Sequence, residues 1–194
     1  MSIEKRTVTH RVTGEKITFL ETAGETNGQY LYIEVSLPPQ GMGPPLHIHN
    51  EFVEAFEIMQ GQLQIQVGKE KHVLSVGEKL VAPIGTAHTF SNPHDEAVTF
   101  RVKLTPPSYF EQSVKIHYGL MDDGLADEKG NPRVLSHTAL ILNLQNTWIA
   151  GIPMWIQKPI FGWIIRKGYR KGDFSSLSKY VTNLDAIVSN IIKQ

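Results

Sequence analysis

Hydrophobic and polar residues alternate in short runs along the first hundred residues, which is the pattern of β-strands with one buried face. In residues 62–67 the apolar side chains Leu63, Ile65 and Val67 alternate with glutamines. Six runs are rich in β-branched and aromatic residues, namely 16–20, 29–37, 52–59, 62–67, 71–76 and 97–104. Turn sequences rich in glycine, proline and asparagine separate them. Many short strands with regular turns predict a mainly β architecture, either a sandwich or a barrel.

The pattern becomes helical after residue 105. Phe110, Val114, His117 and Met121 recur at helical spacing, and the pattern breaks at residues 122–124. A second apolar stripe at helical period runs near the C-terminus, and no glycine or proline interrupts it: Leu177, Tyr180, Val181, Leu184, Ile187, Val188, Ile191 and Ile192. We therefore expect a β domain over residues 1–105. A helical extension over residues 106–194 should pack on that domain or on a partner subunit.

The composition limits the chemistry that this chain can perform. Its 194 residues contain 19 Lys and Arg, 19 Asp and Glu, and no cysteine. Disulfides and thiolate chemistry are thereby excluded, and a metal site would have to use His, Asp and Glu. A net charge of zero gives no indication of a nucleic-acid partner. The first ten residues are polar and charged without an apolar segment, so we expect no signal peptide and a cytoplasmic protein.

Two histidines and a glutamate form the first part of a candidate site. His47 and His49 are two residues apart on an extended segment, so their side chains point to the same face. Glu54 follows five residues later and shares its strand face with Phe56 and Ile58. A carboxylate among inward apolar positions is costly unless it is paired or bound to a metal. The three residues therefore predict a cation site.

A third histidine completes the set. Pro83 and Gly85 form a tight turn, because proline restricts φ and glycine tolerates unusual conformations. The turn reverses the chain and delivers His88 on a new strand. Three imidazoles and one carboxylate suit a divalent transition metal such as Fe, Mn, Ni or Zn better than calcium or magnesium. We predict that His47, His49, Glu54 and His88 hold one such ion.

Both stretches resemble the two sequence motifs of the cupin superfamily, and every motif position is filled. The positions of motif 1 are Gly41, His47, His49, Glu54 and Gly61. The positions of motif 2 are Gly77, Pro83, Gly85, His88 and Asn92. The resemblance implies a small jelly-roll barrel, or double-stranded β-helix, that binds its metal through the three histidines and the glutamate. It does not extend to the helical part.

The resemblance also implies a range of functions. Cupins include metal-dependent dioxygenases, isomerases and decarboxylases, and in such an enzyme Glu54 would be both metal ligand and catalytic proton acceptor. The substrate would be a small anionic or enolisable organic molecule. The alternative is a non-catalytic cupin in which the metal helps to bind a small molecule. Cupin barrels commonly pair through their sheets, so we expect a homodimer.

The other histidines show no comparable pattern. His10, His72 and His94 lie in polar or turn contexts, so we expect them to be solvated. His117 lies on an apolar helical face, where a hydrogen-bonded core or interface position is expected rather than a fifth metal ligand. His137 is ambiguous.

Residues 148–171 combine tryptophans and isoleucines with a run of basic residues. From Lys158 to Lys179 there are six Lys or Arg and one acidic residue, Asp173. Two interpretations are open. The segment is either a flap that packs on the barrel or on a second subunit, which we favour, or a membrane-surface attachment with tryptophan at the boundary. Pro153 and Pro159 argue against a transmembrane span.

Overall fold

The computed structural model describes residues 6–193, and within this range two antiparallel sheets are followed by four α-helices. Residues 1–5, on which part of the expectation about a signal peptide rests, lie outside it, as does residue 194. The strands of the first part are β1 (Thr7–Thr9), β2 (Lys16–Glu21), β3 (Leu31–Leu37), β4 (His47–His49), β5 (Val53–Gln60), β6 (Leu63–Val67), β7 (Glu70–Leu74), β8 (Lys79–Ala82), β9 (His88–Ser91) and β10 (Val98–Thr105). The later elements are α1 (Phe110–Asp122), α2 (Leu135–Leu144), β11 (Thr147–Ile149), α3 (Met154–Lys171), a 3-10 helix (Ser175–Lys179) and α4 (Leu184–Lys193).

The strands form a jelly-roll barrel, as the sequence predicted. One sheet has the order β1-β2-β3-β10-β5-β8, and the other has the order β11-β4-β9-β6-β7. Strands distant in sequence lie side by side, because β10 pairs with both β3 and β5. The six predicted runs correspond to β2, β3, β5, β6, β7 and β10 within a few residues.

Alternation along the strands fills the barrel with apolar side chains. In β6 Leu63 and Ile65 are fully buried, while the glutamines between and after them are partly exposed. Phe100 on β10 lies opposite Ile58 of β5 in the sheet register. Its ring is 5.2 Å from the ring of Phe90 and 6.2 Å from that of Phe56, measured between centroids. Aromatic rings from both sheets therefore build the core of the barrel.

Helix α1 joins the barrel to the helical part. Val114, Tyr118 and Met121 pack against the barrel core. Ile116 and Leu120, on the other side of the same helix, pack into a second core that α2, α3 and α4 complete. Since α1 is buried on two sides, the helical part has its own core and is also attached to the barrel.

The apolar stripe near the C-terminus does not form the continuous helix that its period predicts. It is divided into the 3-10 helix Ser175–Lys179 and α4, and Asn183 between them has a positive φ of 61°. Val181, Thr182 and Asn183 all have low helix propensity, and asparagine tolerates the left-handed conformation. Leu177, Leu184 and Val188 still bury in the same core. The stripe thus marks the buried face correctly while the backbone changes direction.

A short strand interrupts the helical part, which the sequence pattern did not indicate. Strand β11 pairs antiparallel with β4 at the edge of the five-stranded sheet. The Ala150 N–H extends this contact by donating to the Leu46 carbonyl at 3.3 Å. A segment far along the chain therefore adds a strand to the barrel, next to the strand that carries two candidate ligands.

Within residues 6–193, no helix is both long and apolar enough to cross a bilayer. Helix α3 has 18 residues, and its Gln157 side chain is 4% exposed. The Gln157 amide accepts a hydrogen bond from the Ile149 N–H and donates to the Ile149 and Ile152 carbonyls. This glutamine ties the first turns of α3 to β11.

A small polar cluster lies where α1 packs against the N-terminal strands. The Tyr118 hydroxyl donates to Glu15 Oε1 at 2.9 Å, and burial raises the pKa of Glu15 to about 7. His10, which the sequence predicted to be solvated, is partly buried instead, with its ring 5.3 Å from that of Tyr118. Burial lowers the pKa of His10 to about 4. His117 is partly buried and hydrogen-bonds the Gly130 carbonyl through Nε2 at 2.9 Å.

The raised pKa of Glu15 makes stability depend on pH. Between its ordinary value of 4.5 and about 7, the folded protein holds a proton that the unfolded chain has released. The free energy of unfolding therefore falls as pH rises through this window, by about 3 kcal/mol in total. Glu15→Gln removes this term and keeps the Oε1 acceptor for Tyr118. In urea denaturation the variant should match the wild type near pH 4 and exceed its stability by about 3 kcal/mol at pH 8.

The exposed Glu128 offers a matched control, because Glu128→Gln changes the same group without burial. Its stability difference from the wild type should stay within about 0.5 kcal/mol at every pH. His10 is present in all three proteins, so its own titration cancels in the comparison. A Glu15→Gln difference that does not change between pH 4 and pH 8 would show that Glu15 has an ordinary pKa.

Candidate metal centre

The four predicted ligands meet inside the barrel, between its two sheets. His47 and His49 lie on β4, and His88 begins β9 directly opposite His47 in the register of these strands. Glu54 reaches in from β5 on the other sheet, on the same inward face as Phe56. All four residues are buried, and at most 7% of the surface of any one of them is exposed. The alternation that the sequence predicted on β4 and β5 therefore turns His47, His49 and Glu54 into one buried space, which His88 enters from β9.

The ligand atoms of the four residues converge. One candidate atom from each residue lies within 4.8 Å of the corresponding atoms of the other three. His47 Nε2 is 3.1 Å from His49 Nε2, and His88 Nε2 is 3.0 Å from Glu54 Oε2. Glu54 Oε1 is 3.9 Å from His49 Nε2. Two ligands bound at about 2.1 Å to one ion can lie at most about 4.2 Å apart, so all three separations are compatible with a shared ion.

Backbone carbonyls orient all three imidazoles through Nδ1. The acceptors are the Pro45 oxygen for His47 at 2.8 Å, the Asn146 oxygen for His49 at 3.1 Å and the Thr86 oxygen for His88 at 2.9 Å. A carbonyl can only accept, so each Nδ1 carries a proton. This arrangement leaves the Nε2 lone pair of a neutral imidazole pointing into the centre, as in known metal-binding histidines.

The donor atoms fit a metal ion better than they fit one another. His47 Nε2 and His49 Nε2 are 3.1 Å apart, and with both protons on Nδ1 neither atom has a hydrogen to offer the other. Two facing lone pairs at this distance repel. A cation between them would convert the repulsion into two bonds, and the Glu54 carboxylate would offset part of its charge. The four residues could therefore hold a divalent transition metal, whose identity the donor set does not specify.

Protonation in the ion-free centre is uneven. Burial lowers the pKa of His47 to about 4 and also lowers the pKa of His49, so both are neutral. Burial opposes ionisation of Glu54 as well, but the His88 hydrogen bond and the nearby imidazoles lower the pKa of this carboxyl. Burial likewise lowers the pKa of His88, but the bond to Glu54 outweighs it and the pKa is raised. Below the raised pKa of His88, the ion-free centre thus contains one imidazolium–carboxylate pair.

Metal binding should release one proton, because a ligand nitrogen must be deprotonated. Below its raised pKa, His88 carries this proton on Nε2, whereas the lowered pKa values of His47 and His49 favour their neutral forms. Below the raised pKa of His88, the apparent affinity should fall about tenfold for each unit of pH. Calorimetry at pH 6 in buffers of different ionisation enthalpy would measure about one proton released per ion. Zero protons released at pH 6 would contradict the assigned His88–Glu54 pair.

The helical part supplies contacts to the centre that the sequence did not reveal. Asn146 provides the carbonyl that orients His49, and its side-chain Oδ1 accepts the Asn50 N–H at 2.7 Å. Trp148 Nε1 donates to Asn50 Oδ1 at 2.9 Å. Asn146 is 3% exposed and has a φ of 50°, a conformation that asparagine tolerates better than most residues. We call Asn146 and β11 the clasp, because together they hold the strand that carries His47 and His49.

An aromatic wall closes one side of the centre. The Phe52 ring stacks on His49 with 4.2 Å between centroids, and the Phe110 ring meets Phe52 edge-on at 6.1 Å. Phe52 is 1% exposed. An apolar wall lowers the local dielectric and strengthens the interaction between an ion and its ligands.

Comparison with known proteins agrees with this architecture. A family model described as the cupin domain matches residues 33–104, a range that contains all four candidate ligands. Residues 33–104 of this chain therefore form a cupin domain. A probable oxidoreductase, virH, from Hypocrea virens is 32% identical over 106 residues, which cover 50% of this chain and 48% of that protein. The chain thus spans about half the length of this curated relative.

Solved cupin structures resemble the barrel at low identity. A sugar phosphate isomerase of the cupin superfamily from Silicibacter pomeroyi is 24% identical, with a TM-score of 0.45 over 50% of this chain and 62% of that one. A predicted oxalate decarboxylase from Thermotoga maritima is 17% identical, with a TM-score of 0.45 over 47% and 80% of the two chains. These values are too low to transfer an activity.

Proposed function

We propose that this protein is a metal-dependent enzyme of the cupin type. His47, His49, Glu54 and His88 would hold one divalent transition metal, either Fe, Mn, Ni or Zn. The substrate would be a small anionic or enolisable organic molecule, and dioxygenase-like chemistry is the reaction class we favour. When bound, such an ion would act as a Lewis acid and, if redox-active, as a site for oxygen chemistry.

One observation carries the proposal. Three Nε2 atoms, each oriented by a carbonyl at its own Nδ1, converge with a carboxylate in a buried space. A purely structural group of buried histidines would satisfy its polar atoms internally. Here the Nε2 atoms of His47 and His49 face each other without a proton to share. This arrangement supports a role as ligands for both residues.

The charge of the centre supports an anionic substrate. A divalent ion with three neutral imidazoles and one carboxylate would carry a net charge of about +1. In a buried, apolar environment that charge favours an anionic partner such as a carboxylate or an enolate. Glu54 Oε2 lies 3.0 Å from His88 Nε2, and Oε1 lies 3.9 Å from His49 Nε2. Oε1 is the atom we assign to accept a proton from the substrate.

The curated relative supports the redox branch of the proposal. Its name describes a probable oxidoreductase, and the part of this chain that it matches is 32% identical. Because this chain spans only about half of that protein, we propose rather than assign a redox activity for this chain.

A second candidate is a cupin that binds a small molecule with the help of its metal but does not react with it. The burial of the centre favours this alternative, since His49 and His88 are 2% and 1% exposed. A deeply buried ion exchanges its ligands slowly unless the surrounding structure opens. Binding of a small acid without any turnover would identify this second function.

Metal analysis followed by oxygen uptake tests the proposal. Protein purified without added metal is analysed for its elements, then stripped and reloaded anaerobically with each of the four ions. Oxygen consumption is then measured over a panel of phenols, diketones and flavonols. We expect about one ion per chain and substrate-dependent oxygen uptake with a redox-active ion. Glu54→Gln, which keeps the side-chain size but removes the charge, should abolish uptake.

His72 provides a matched control for these measurements. It lies on β7 of the same sheet as His88, with its Nε2 3.6 Å from the exposed Glu70 carboxylate. His72→Ala should retain both the metal and the oxygen uptake. One ion per chain without turnover of any compound in the panel would favour the non-catalytic alternative.

A further inference from the structure

Charge is distributed unevenly along this neutral chain. Residues 129–172 contain seven Lys or Arg and no Asp or Glu, whereas the other 150 residues contain 12 Lys or Arg and 19 Asp or Glu. Five of the seven cations lie on α3: Lys158, Arg166, Lys167, Arg170 and Lys171. Within residues 6–193 none of these five forms an ion pair with a carboxylate. Helix α3 is thus a concentrated positive surface that no acidic group of the described chain neutralises.

The outer face of α3 is also aromatic. Trp155 and Trp163 are 76% and 61% exposed, which is unusual for tryptophan. At 3.6 residues per turn, Trp155, Pro159 and Trp163 lie in one sector of about 80°, together with Arg166 and Arg170, and Lys167 borders this sector. We call this sector the basic-aromatic face. It presents two large apolar rings among cations along a single side of the helix.

The opposite face of α3 is firmly packed. Ile165 is fully buried in the helical core, and Gln157 is bound to β11. Helix α2 approaches so closely at Gly168 that a side chain there would lie 2.5 Å from the Ser136 Cβ. The helix is therefore held in a fixed orientation by the protein, and its basic-aromatic face remains available to a partner.

We propose that the basic-aromatic face docks on the surface of an anionic phospholipid bilayer. Indole rings favour the boundary between headgroups and acyl chains, and Lys and Arg side chains interact with anionic headgroups. Aliphatic side chains border the face as well: Ile152 and Ile160 are 45% and 49% exposed. Contact with the acyl boundary would remove this apolar surface from water.

Two other occupants fit the face less well. In a two-fold symmetric dimer through this face, α3 would meet its own copy and bring ten unneutralised cations together. Nucleic acid would match the cations and stack on the indoles, but it would leave the exposed aliphatic side chains without an apolar partner.

Vesicle co-sedimentation with the full-length protein tests the proposal. Two kinds of vesicle are compared: phosphatidylcholine alone, and phosphatidylcholine with about one third phosphatidylserine. We expect binding to the anionic vesicles that weakens as salt is added, and little binding to the neutral ones. Trp155→Ala/Trp163→Ala should weaken binding at least tenfold. Lys167→Gln/Arg170→Gln should weaken it about 25-fold, because each surface cation contributes roughly fivefold.

Lys16 and Lys71 are exposed cations on the barrel and make a matched control. Lys16→Gln/Lys71→Gln should bind like the wild type. Unchanged far-ultraviolet circular dichroism and metal content would show that each variant is folded. Three results would overturn the proposal: no binding to anionic vesicles at low salt, equal binding by the tryptophan double variant, or preferential binding of a single-stranded oligonucleotide. Loss of a dimer in the tryptophan variant would instead identify the face as an interface between copies.

Discussion

Replacing either His88 or His47 with alanine should abolish stoichiometric metal binding, but the two variants should differ when no ion is present. Loss of a direct ligand should weaken affinity by more than the roughly 10–100-fold that a supporting residue costs. His88→Ala also leaves the buried Glu54 carboxylate without the nitrogen that lies 3.0 Å away. Breaking such a pair costs about 3–5 kcal/mol. His47→Ala removes a neutral ring that faces the nitrogen of His49, so it should cost clearly less.

The measurements are chelator-competition titrations for affinity and urea denaturation of the metal-free proteins for stability. His72→Ala, on the outer part of the same sheet, should change neither quantity appreciably. Equal destabilisation by His88→Ala and His47→Ala would argue against the His88–Glu54 pair. The central assignment would be falsified if the wild type folded without metal and gained no stability from any of the four ions.

Replacing Trp148 with alanine should weaken both the fold and the metal centre. Trp148 is 2% exposed, stacks on Phe161 with 5.7 Å between ring centroids and donates to Asn50. Truncating a buried tryptophan costs about 3–5 kcal/mol. Because β11 pairs with the strand that carries His47 and His49, its loosening should also reduce metal affinity by about 10–100-fold. Urea denaturation and chelator competition measure the two effects separately.

Trp163 allows the same substitution to be made where the ring is exposed. Trp163→Ala should change stability by no more than about 0.5 kcal/mol and leave metal affinity unchanged.

A second comparison concerns Asn146: Asn146→Asp keeps an acceptor for the Asn50 N–H, and Asn146→Ala does not. Only the alanine variant should lose the hydrogen bond from the Asn50 N–H and, with it, the part of the metal affinity that this bond supports. If Trp148→Ala destabilised the protein without altering metal affinity, the clasp would have only a structural role.

The local features of this protein were readable from its sequence. Period-two alternation identified the long strands, because a strand with one buried face must alternate. The same rule placed His47 and His49 on one face and Glu54 among inward apolar side chains, where the structure has them. The turn at Pro83 and Gly85 similarly predicted a strand that begins near His88. These inferences succeeded because each depends on neighbours within a few residues.

Local patterns were less reliable where several conformations bury the same residues. The apolar stripe near the C-terminus identified the residues that pack, but not the break at Asn183. His10 stands in a polar stretch, yet α1 covers it. In both cases the contacts that decide the outcome come from another element, and hydrophobic periodicity does not encode which element that is.

The sequence by itself therefore determined the barrel strands, the four candidate ligands and the basic character of residues 158–171. Only the tertiary structure decided how those ligands are held and which side of α3 faces outward. Asn146 is 97 residues from the imidazole that it orients, and β11 is a three-residue strand whose pairing depends on the exposed edge of β4. Backbone hydrogen bonds between distant segments form because folding brings unsatisfied donors and acceptors together. No local pattern of side chains predicts which distant segments will form these hydrogen bonds.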